Sequence, residues 1–533
     1  MRKTTLLVLM VLCVTSALFA NGTKETEVQQ PVSTSSTFTG YPMEKDTPVS
    51  FWIKPGSSVT ANFSSMGDTP FYKEALKRTG IDIDFQHPPI GQENEQFSLI
   101  MADGNYPDIM MYNWLSNYPG GPAKAIADGV IMSLNDIFDK YCPNIKAYLA
   151  AHPDYDKAIK TDDGQYYCVP MINTEGTGTF LGPMIRSDIL AHLGKEVPTT
   201  IDEWYDVLKA AQASGISHPL ASEFSQIDIR NWNPFMYAYK TDSSFFVADD
   251  NTIHYGPIEE GYKEYLENFA KWYREGLVDP DLPSLTTDQV TEKMTSGKSI
   301  AAWALVGGRM GSWIPAGQKT NPDYMLIATP WPTLGKGETP EYGWSAMPFS
   351  GNGAAITTKC KNVERAARLL DYFWSNEGHD FAYFGTKDVT YTIDADGNYH
   401  YTDLITKNTK GWTLGQMIAA YTIANYTTPT YADIRYSKEY ASLPSQKEAY
   451  DIWRTNCLKH LLPPITPSPD DSKTLARIMN EITTYQRELS LKFILGTEDI
   501  DKSWDTYVAN IKKMGIDQAL AIENKAYDSY QNR

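Results

Sequence analysis

The amino-acid sequence predicts an α/β protein with more than one domain. Its 533 residues are 42% hydrophobic and 21% charged, which is ordinary globular composition in a chain too long for a single core. In the N-terminal part, strand-like segments alternate with amphipathic helical segments, an order typical of a layered, mainly parallel sheet. A third observation is a pair of clearly delimited helices between Arg186 and Trp204.

The alternation of strands and helices begins at residue 48. The predicted elements are, in order, a strand at 48–53, a helix at 71–78, a strand at 81–85, a helix at 95–102 and a strand at 106–112. Gly80 and Gly104 stand where the two helices should end, since glycine adopts the left-handed conformation of a helix C-terminus at little cost.

The helix pair has defined ends. Gly194 stands at the C-terminus of the first helix, and Pro198 keeps the following linker extended. Thr200 and Glu203 have the spacing of a capping box, in which each side chain satisfies a backbone N–H at the start of the second helix. The segment therefore predicts a helix, a short linker and a second helix.

Residues 1–20 have the parts of a cleaved signal peptide. Arg2 and Lys3 supply positive charge, residues 6–18 are almost wholly apolar but too short to favour a membrane span, and Ala20 is acceptable before the cut. Cys13 offers a lipid-anchor alternative, which is weakened by the bulky residue before it and by the apolar run beyond it.

Residues 21–48 are rich in Thr, Ser, Glu and Gln, and they are predicted as a flexible tether. No later segment has the ~20 unbroken apolar residues of a transmembrane helix. We therefore expect a periplasmic or extracellular protein that is secreted by way of a cleaved signal peptide.

Charge and cysteine content restrict the partners. The formal net charge of −18 argues against nucleic acid, whose affinity for proteins rests on Lys and Arg. The four cysteines after the signal peptide, Cys142, Cys168, Cys360 and Cys457, match no zinc-binding spacing. We expect scattered core thiols with or without one bridge, whose pairing the sequence does not specify.

Patterns for catalysis or metal binding are incomplete. Residues 297–299 end like a P-loop, but Glu292 stands where its first glycine should be. The eight histidines show no pair at ligand spacing, and residues 394–398 have their glycine at the wrong position for a calcium loop, which favours a hairpin turn. Residues 343–347 lack the second glycine of a nucleophile elbow. We predict no cofactor, no metal and no catalytic residue.

Further motifs follow one another along the chain. They include ADGNYPDI (102–109), DDGQYYCVP (162–170), RSDILAHLGKEVPTTIDEW (186–204), YREGLVDP (273–280), GKSIAAW (297–303), VERAARLLDY (363–372) and KFILG (492–496). Each is weak alone, but in their order and spacing they resemble the extracellular solute-binding proteins of family 1. These are the substrate-binding proteins of ABC importers, and the likeness is to the long oligosaccharide-binding branch. The segment FGTKD (384–388) departs from that family's usual pattern.

The resemblance implies a periplasmic-binding-protein type II fold, an α/β architecture of two lobes with mixed sheets joined by crossing hinge segments. We assign residues 49–170 and 307–375 to lobe one, and residues 171–306 and 376–533 to lobe two. The ligand is expected between the lobes.

Aromatic residues are the positive signal for a ligand. The chain has 13 Trp and 34 Tyr, and many follow predicted strands, where ligands lie in doubly wound sheets. Sugar rings have apolar faces and polar rims, which suit aromatic rings flanked by amide and charged groups. The predicted ligand-binding residues are Trp52, Tyr112, Asn113, Trp114, Glu175, Trp232, Trp303, Arg309 and Trp344. Substituting Trp303 or Trp344 with alanine is expected to weaken binding while leaving stability nearly intact.

The resemblance implies a receptor that closes around an oligosaccharide and then docks on the permease subunits of an ABC importer. A monomer that needs no cofactor is expected. Three alternatives stay open. A peptide or other small solute would want a fixed charge pair, half of which Arg309 can supply; a secreted glycosidase needs only two suitably placed carboxylates; and a signalling receptor would have the same fold with a sensor-kinase partner.

Overall fold

Two separate hydrophobic cores organise the chain, each with its own β-sheet. The fold is that of a computed structural model and is described for residues 38–223, 233–424, 428–454 and 457–533. The predicted signal peptide, Cys13 and most of the predicted tether lie outside these ranges, as does Trp232.

The strands are short and are numbered along the chain. They are β1 (Val49–Trp52), β2 (Ile83–Gln86), β3 (Ile109–Asn113), β4 (Val169–Pro170), β5 (Leu181–Arg186), β6 (Phe245–Val247), β7 (Ile253–Tyr255), β8 (Ala301–Leu305), β9 (Leu326–Ala328), β10 (Asn352–Ile356), β11 (Tyr391–Ile393) and β12 (Tyr399–Tyr401).

Helices surround the sheets. They are α1 (Ser57–Thr60), α2 (Pro70–Thr79), α3 (Glu93–Asp103), α4 (Trp114–Asn117), α5 (Gly121–Ala127), α6 (Asn135–Tyr141), α7 (Pro143–Ala151), α8 (Pro153–Ala158), α9 (Ser187–Leu193), α10 (Ile201–Ala213), α11 (Glu260–Arg274), α12 (Thr287–Ser296), α13 (Gly311–Gly317), α14 (Val363–Tyr372), α15 (Asn376–Phe384), α16 (Asp403–Thr406), α17 (Leu414–Tyr421), α18 (Ile434–Tyr440), α19 (Pro444–Ile452), α20 (Pro469–Leu495), α21 (Ile500–Met514) and α22 (Ile516–Gln531). None of the helices in the described ranges combines the length and apolarity needed to cross a bilayer.

Lobe one contains a five-stranded sheet of order β2-β1-β3-β10-β4. Strand β1 pairs in parallel with β2 and β3, as the alternating sequence predicts. Strand β10 runs antiparallel to both β3 and β4, which makes the sheet mixed. The centre of the sheet is dry, since Ile109 and Met110 of β3 have no exposed surface.

Lobe two contains a three-stranded sheet of order β8-β5-β9, and both of its pairings are antiparallel. The predicted helix pair packs here as α9 and α10, and Gly194 ends α9 in the left-handed conformation with φ 62°. Thr200 caps α10 by accepting from the Glu203 N–H at 3.1 Å. The return bond of the predicted capping box is displaced by one residue, because the Glu203 carboxylate accepts from the Thr199 N–H at 2.8 Å.

Within the described ranges the chain crosses between the cores three times, between Ile172 and Phe180, between Ala346 and Phe349, and between Tyr440 and Leu443. The predicted boundary nearest the first crossing follows residue 170. The later two correct the predicted boundaries after residues 306 and 375. Residues 307–344 stay in lobe two because β9 pairs with β5. Residues 376–440 stay in lobe one, where the Phe381 ring stacks on Phe71 at 4.4 Å.

The predicted tether is also shorter than expected. From Phe38 onward the chain lies on lobe one: the Arg368 guanidinium covers the Phe38 ring at 3.6 Å, and the Tyr41 hydroxyl donates to the Arg368 carbonyl at 2.6 Å. The Met43 N–H donates to the Thr79 carbonyl at 2.8 Å, at the end of α2. Residues 38–47 are therefore part of the folded lobe.

Several smaller predictions are confirmed. The four cysteines after the signal peptide are buried, and Cys142, Cys168 and Cys360 are free thiols. Residues 394–398 form the turn of the β11–β12 hairpin, in which the Asp394 carboxylate accepts from the N–H groups of Asp396 and Asn398 at 2.9 and 2.8 Å. Gly297 is the left-handed residue that ends α12 rather than part of a phosphate loop.

Gly182 in β5 allows the Trp453 indole to lie on the lobe-two sheet. A Cβ at position 182 would lie 2.4 Å from that ring, whose Nε1 donates to the carbonyls of Pro183 and Thr329. We expect Gly182→Ala to lower the free energy of unfolding by about 1–3 kcal/mol in urea titrations, because the indole cannot move without losing these bonds. Gly56→Ala is the control, since its Cβ meets nothing within 4 Å and its φ of −68° suits alanine. Equal stability of the two variants would contradict this packing.

Candidate binding cleft

The lobe-one sheet presents a polar edge to the space beside the first crossing. Strands β1 and β3 are parallel, so both carboxyl ends lie at this edge. Strand β10 is antiparallel to β3 and starts there, with Asn352 opposite Asn113. A cavity of about 330 Å³, here named the cleft cavity, opens at this edge. It is lined by Trp52, Ile53, Lys54, Glu93, Asn94, Met111, Tyr112, Asn113, Asn117, Met171 and Asn352.

Aromatic rings form one wall of the cleft cavity. Trp52 ends β1 and meets Tyr112 of β3 edge to face, with ring centroids 5.3 Å apart. The Tyr112 ring also stacks on Phe97 at 4.4 Å, and its hydroxyl donates to the Asn94 side-chain oxygen. Burial and the nearby Glu93 charge raise the pKa of Tyr112, so the phenol stays protonated. Trp52 is 3% exposed, so Tyr112 supplies more of the accessible aromatic surface.

A charged pair flanks these rings. The Lys54 ammonium lies 2.8 Å from the Glu93 carboxylate, and the two side chains are 56% and 17% exposed. Hydrogen bonds from Lys54 and from the Gly91 N–H hold the pKa of Glu93 at about 2. The pair therefore offers both donors and acceptors to the cavity while carrying no net charge at neutral pH.

The amides that line the cleft cavity divide into structural and accessible groups. The Asn113 oxygen accepts from the Ser116 N–H at 3.0 Å, capping α4, and its amide donates to the Ser350 carbonyl at 2.8 Å. Asn113 thus holds the loop before β10 against the end of β3. The Asn352 side chain makes one hydrogen bond, from its amide to the Ser350 hydroxyl at 3.1 Å. It can therefore form further hydrogen bonds with a ligand in the cavity.

Arg309 lies on the lobe-two side, in the π-helical turn Val306–Met310 after β8. Gly307 of this turn approaches Tyr440, whose hydroxyl, like that of Ser58 in α1, lies beside Gly415. The Arg309 guanidinium pairs with Glu223 at 2.9 Å, and the two side chains are 13% and 11% exposed. Arg309 is therefore neutralised within the protein.

Two predicted ligand residues lie in the cores instead. Trp114 has no exposed surface, and its Nε1 donates to the Met110 carbonyl at 3.4 Å. Trp303 is 1% exposed and meets Phe235 edge to face at 5.9 Å. Trp114 belongs to the lobe-one core and Trp303 to the lobe-two core, and neither ring lines the cleft cavity. We leave both out of the proposed ligand contacts.

The remaining predicted residues are dispersed. Glu175 is exposed in the first crossing segment, and Trp232 lies outside the described residues. Trp344 is 8% exposed and borders a second cavity of about 650 Å³, here named the hinge cavity. It is lined by parts of both lobes and two crossings, at residues 115, 116, 118–123, 173, 344–347, 349, 350, 461–467, 472, 475, 476, 479 and 523. The structure thus brings together Trp52, Tyr112 and Asn113 of the nine.

Sequence reasoning missed eight of the eleven residues that line the cleft cavity. Lys54 directly follows the strand predicted at 48–53. Glu93 and Asn94 come from the first turn of α3, and only the register of that helix against β1 brings them to the cavity. Asn117 is the last residue of the short helix α4, which the sequence pattern does not predict.

Known proteins place this architecture in a family. The model of the bacterial extracellular solute-binding proteins matches residues 63–380. The fructooligosaccharide ABC transporter substrate-binding protein FusA of Streptococcus pneumoniae serotype 4 is 23% identical over 500 residues, which cover 85% of this chain and 86% of FusA. Lipoprotein LipO of Bacillus subtilis is 22% identical over 316 residues, which cover 57% of this chain and 59% of LipO.

Solved structures show the same fold. The alginate-binding protein AlgQ2 superposes with a TM-score of 0.73 at 23% identity, covering 92% of this chain and all of AlgQ2. FusA in complex with kestose superposes with a TM-score of 0.72 at 18% identity, covering 91% of this chain and all of FusA. The predicted two-lobed periplasmic-binding-protein type II fold is confirmed. The family match spans more than half of the sequence, and the chain belongs to the bacterial extracellular solute-binding protein family.

Proposed function

We propose that this protein is the extracytoplasmic receptor of an ABC importer and that it binds an oligosaccharide against the cleft cavity. The observation that carries the proposal is the composition of this wall, in which the Tyr112 ring, accessible amides and a neutral charge pair meet beside a crossing segment. The names of its relatives agree with the substrate class, since FusA is described for fructooligosaccharides and AlgQ2 for alginate.

The wall suits a sugar in chemical terms. The apolar C–H face of a pyranose or furanose ring can lie on Tyr112, while its hydroxyls exchange hydrogen bonds with Asn117, Asn352 and Lys54. Contacts that form with both lobes favour the closed state over the open one. Micromolar affinity needs about −8 kcal/mol, which a few stacking and hydrogen-bonding contacts supply.

The charges favour a neutral ligand. Lys54 is paired with Glu93, and Arg309 is paired with Glu223, so both cations already have an acidic partner. A peptide or acidic ligand would compete with these partners. Arg309, which the sequence offers as half of a charge pair for such ligands, therefore gives them little support.

Release without cleavage is part of the proposal. A glycosidase needs two carboxyl groups about 5–9.5 Å apart around the scissile bond. Among the described residues that line the cleft cavity, Glu93 is the one carboxylate, and its low pKa unsuits it to act as a general acid. This agrees with a family of solute-binding proteins rather than enzymes.

Location and partners complete the proposal. We infer export by a signal peptide cut after Ala20, in preference to lipidation at Cys13, and function as a monomer. The closed form would dock on the permease subunits of its importer and release the sugar to them.

Tyr112→Ala should weaken oligosaccharide binding at least tenfold, because it removes the accessible ring of the cleft wall. Titration calorimetry with a panel of neutral oligosaccharides, fructooligosaccharides included, measures the effect. Tyr205→Ala, which removes a half-buried tyrosine bonded to Glu275 on lobe two, is the matched control and should bind normally. Chromatography of the recovered ligand should show it intact. Failure to bind any saccharide, or appearance of hydrolysis products, would refute the proposal.

Trp303→Ala should destabilise the unliganded protein by about 3–5 kcal/mol, because the indole fills the lobe-two core. This reverses the expectation from sequence that stability is retained. Trp344→Ala should lower the free energy of unfolding by less, because this side chain borders the hinge cavity and its removal leaves fewer packing contacts unmade. Urea unfolding of both variants without ligand measures the difference. A near-wild-type Trp303→Ala variant with weakened binding would return Trp303 to the ligand site.

A further inference from the structure

Three histidines in the described part of the chain each lie beside two carboxylates, and two of them use both ring nitrogens there. His254 places Nε2 3.3 Å from Asp250 and Nδ1 3.1 Å from Glu259. His400 lies in the same way between two acidic side chains, at 3.0 and 3.2 Å. These imidazoles have no nitrogen left for another partner.

His460 differs from both. Its Nδ1 lies 2.8 Å from the Val247 carbonyl, and since a carbonyl only accepts, Nδ1 carries the proton. His460 is only 4% exposed. Its Nε2 is buried and has no hydrogen-bond partner among the described residues. An imidazole that carries its proton on Nδ1 presents a lone pair on Nε2. A backbone carbonyl on one nitrogen and a free second nitrogen is the usual arrangement of a metal-binding histidine.

Two carboxylates surround that free nitrogen. An oxygen of Asp249 lies 3.8 Å from Nε2, and the ligand atoms of Asp249, Glu341 and His460 all lie within 4.8 Å of one another. The imidazole is fixed in place, because it stacks on Tyr342 at 3.8 Å with the planes 13° apart.

The spacing suits closure on a small cation. Metal–ligand bonds of about 2.0–2.2 Å bring the ligand atoms of a tetrahedral site to roughly 3.5 Å from one another. The Asp249 and Glu341 side chains are 61% and 49% exposed, so rotation about their side-chain bonds can close the remaining distance without moving the core.

We propose that His460, Asp249 and Glu341 form a binding site for a divalent transition metal of the zinc class. An imidazole with two carboxylates suits zinc, whereas calcium and magnesium prefer oxygen ligands throughout. Water completes the coordination. Asp249 lies in the β6–β7 turn, and Glu341 lies shortly before the second crossing. The metal therefore joins three segments of lobe two that are remote in sequence, and it fixes the lobe-two end of that crossing.

Lys459 competes with the metal. Its ammonium lies 3.5 Å from the Glu341 carboxylate and occupies part of the coordination that the metal would use. Removing this charge should therefore strengthen metal binding, an effect that a purely structural role of the three residues would not produce.

The test uses the full mature chain, stripped with EDTA and dialysed. Calorimetric titration with ZnCl₂ should show one site with a Kd tighter than about 100 µM, and CoCl₂ should give the visible absorption of a bound cobalt ion. The double variant D249N/E341Q should weaken zinc binding at least about 30-fold. Because both residues are exposed, its melting temperature in EDTA should match the wild type. Lys459→Met should bind zinc several-fold more tightly.

His400→Asn is the matched control, since it removes an imidazole between two acids whose nitrogens are both engaged. It should leave the zinc isotherm unchanged. A Kd weaker than about 100 µM, full binding by D249N/E341Q, or tighter binding of CaCl₂ than of ZnCl₂ would each overturn the proposal. The proposal is independent of the ligand, so it stands or falls separately from oligosaccharide binding.

Discussion

The hydrogen bonds between the first two crossing segments determine how the two lobes meet. The Asn173 N–H donates to the Pro348 carbonyl at 2.8 Å, and its side-chain amide donates to the Met347 carbonyl at 2.9 Å. Further along, the Ala346 N–H donates to the Gly178 carbonyl at 2.9 Å. A side chain on Gly178 would lie 2.7 Å from the Ser345 hydroxyl, so the close approach requires glycine. Small changes in backbone angle along this pair alter the angle between the lobes while both cores stay intact.

Strand direction then decides what the cleft contains. Because β1 and β3 are parallel, Trp52 and Tyr112 arrive at one edge, and because β10 runs the other way, its first residue joins them there. The charged groups nearby arrive already paired, as Lys54 with Glu93 and Arg309 with Glu223. Burying an unpaired charge is costly, and these pairs avoid that cost when the lobes close. The result is a polar surface whose charged groups already have partners within the protein.

Local features of the fold were predictable from the sequence, and non-local ones were not. Gly80, Gly104 and Gly194 mark helix ends because the left-handed residue of a helix terminus is a local requirement. The lobe boundaries depend instead on β9 pairing with β5 across more than a hundred residues, a contact without local signature. The sequence therefore assigns residues 307–344 to the wrong lobe.

The site shows the same limit. Tyr112 near the end of β3 and Trp114 at the start of α4 are two residues apart, yet Tyr112 borders the cleft cavity and Trp114 is fully buried. Composition and strand order identify the edge of the sheet that carries the site, whereas the side chains that reach it depend on how each loop packs. Residues Asp249, Glu341 and His460 illustrate the extreme case, since they come from three separate segments and form no motif.

The docking of residues 38–47 on lobe one has a mechanical consequence. Arg368, Tyr41 and the end of α2 fasten this stretch to one half of the molecule, so any attachment at the N-terminal side of the chain immobilises that half. Opening and closing then appear as a swing of the other half about a fixed base. The long helix α20 and the C-terminal helices travel with the moving half. A membrane complex that distinguishes empty from loaded receptor would sense the displacement of these helices relative to the anchored base.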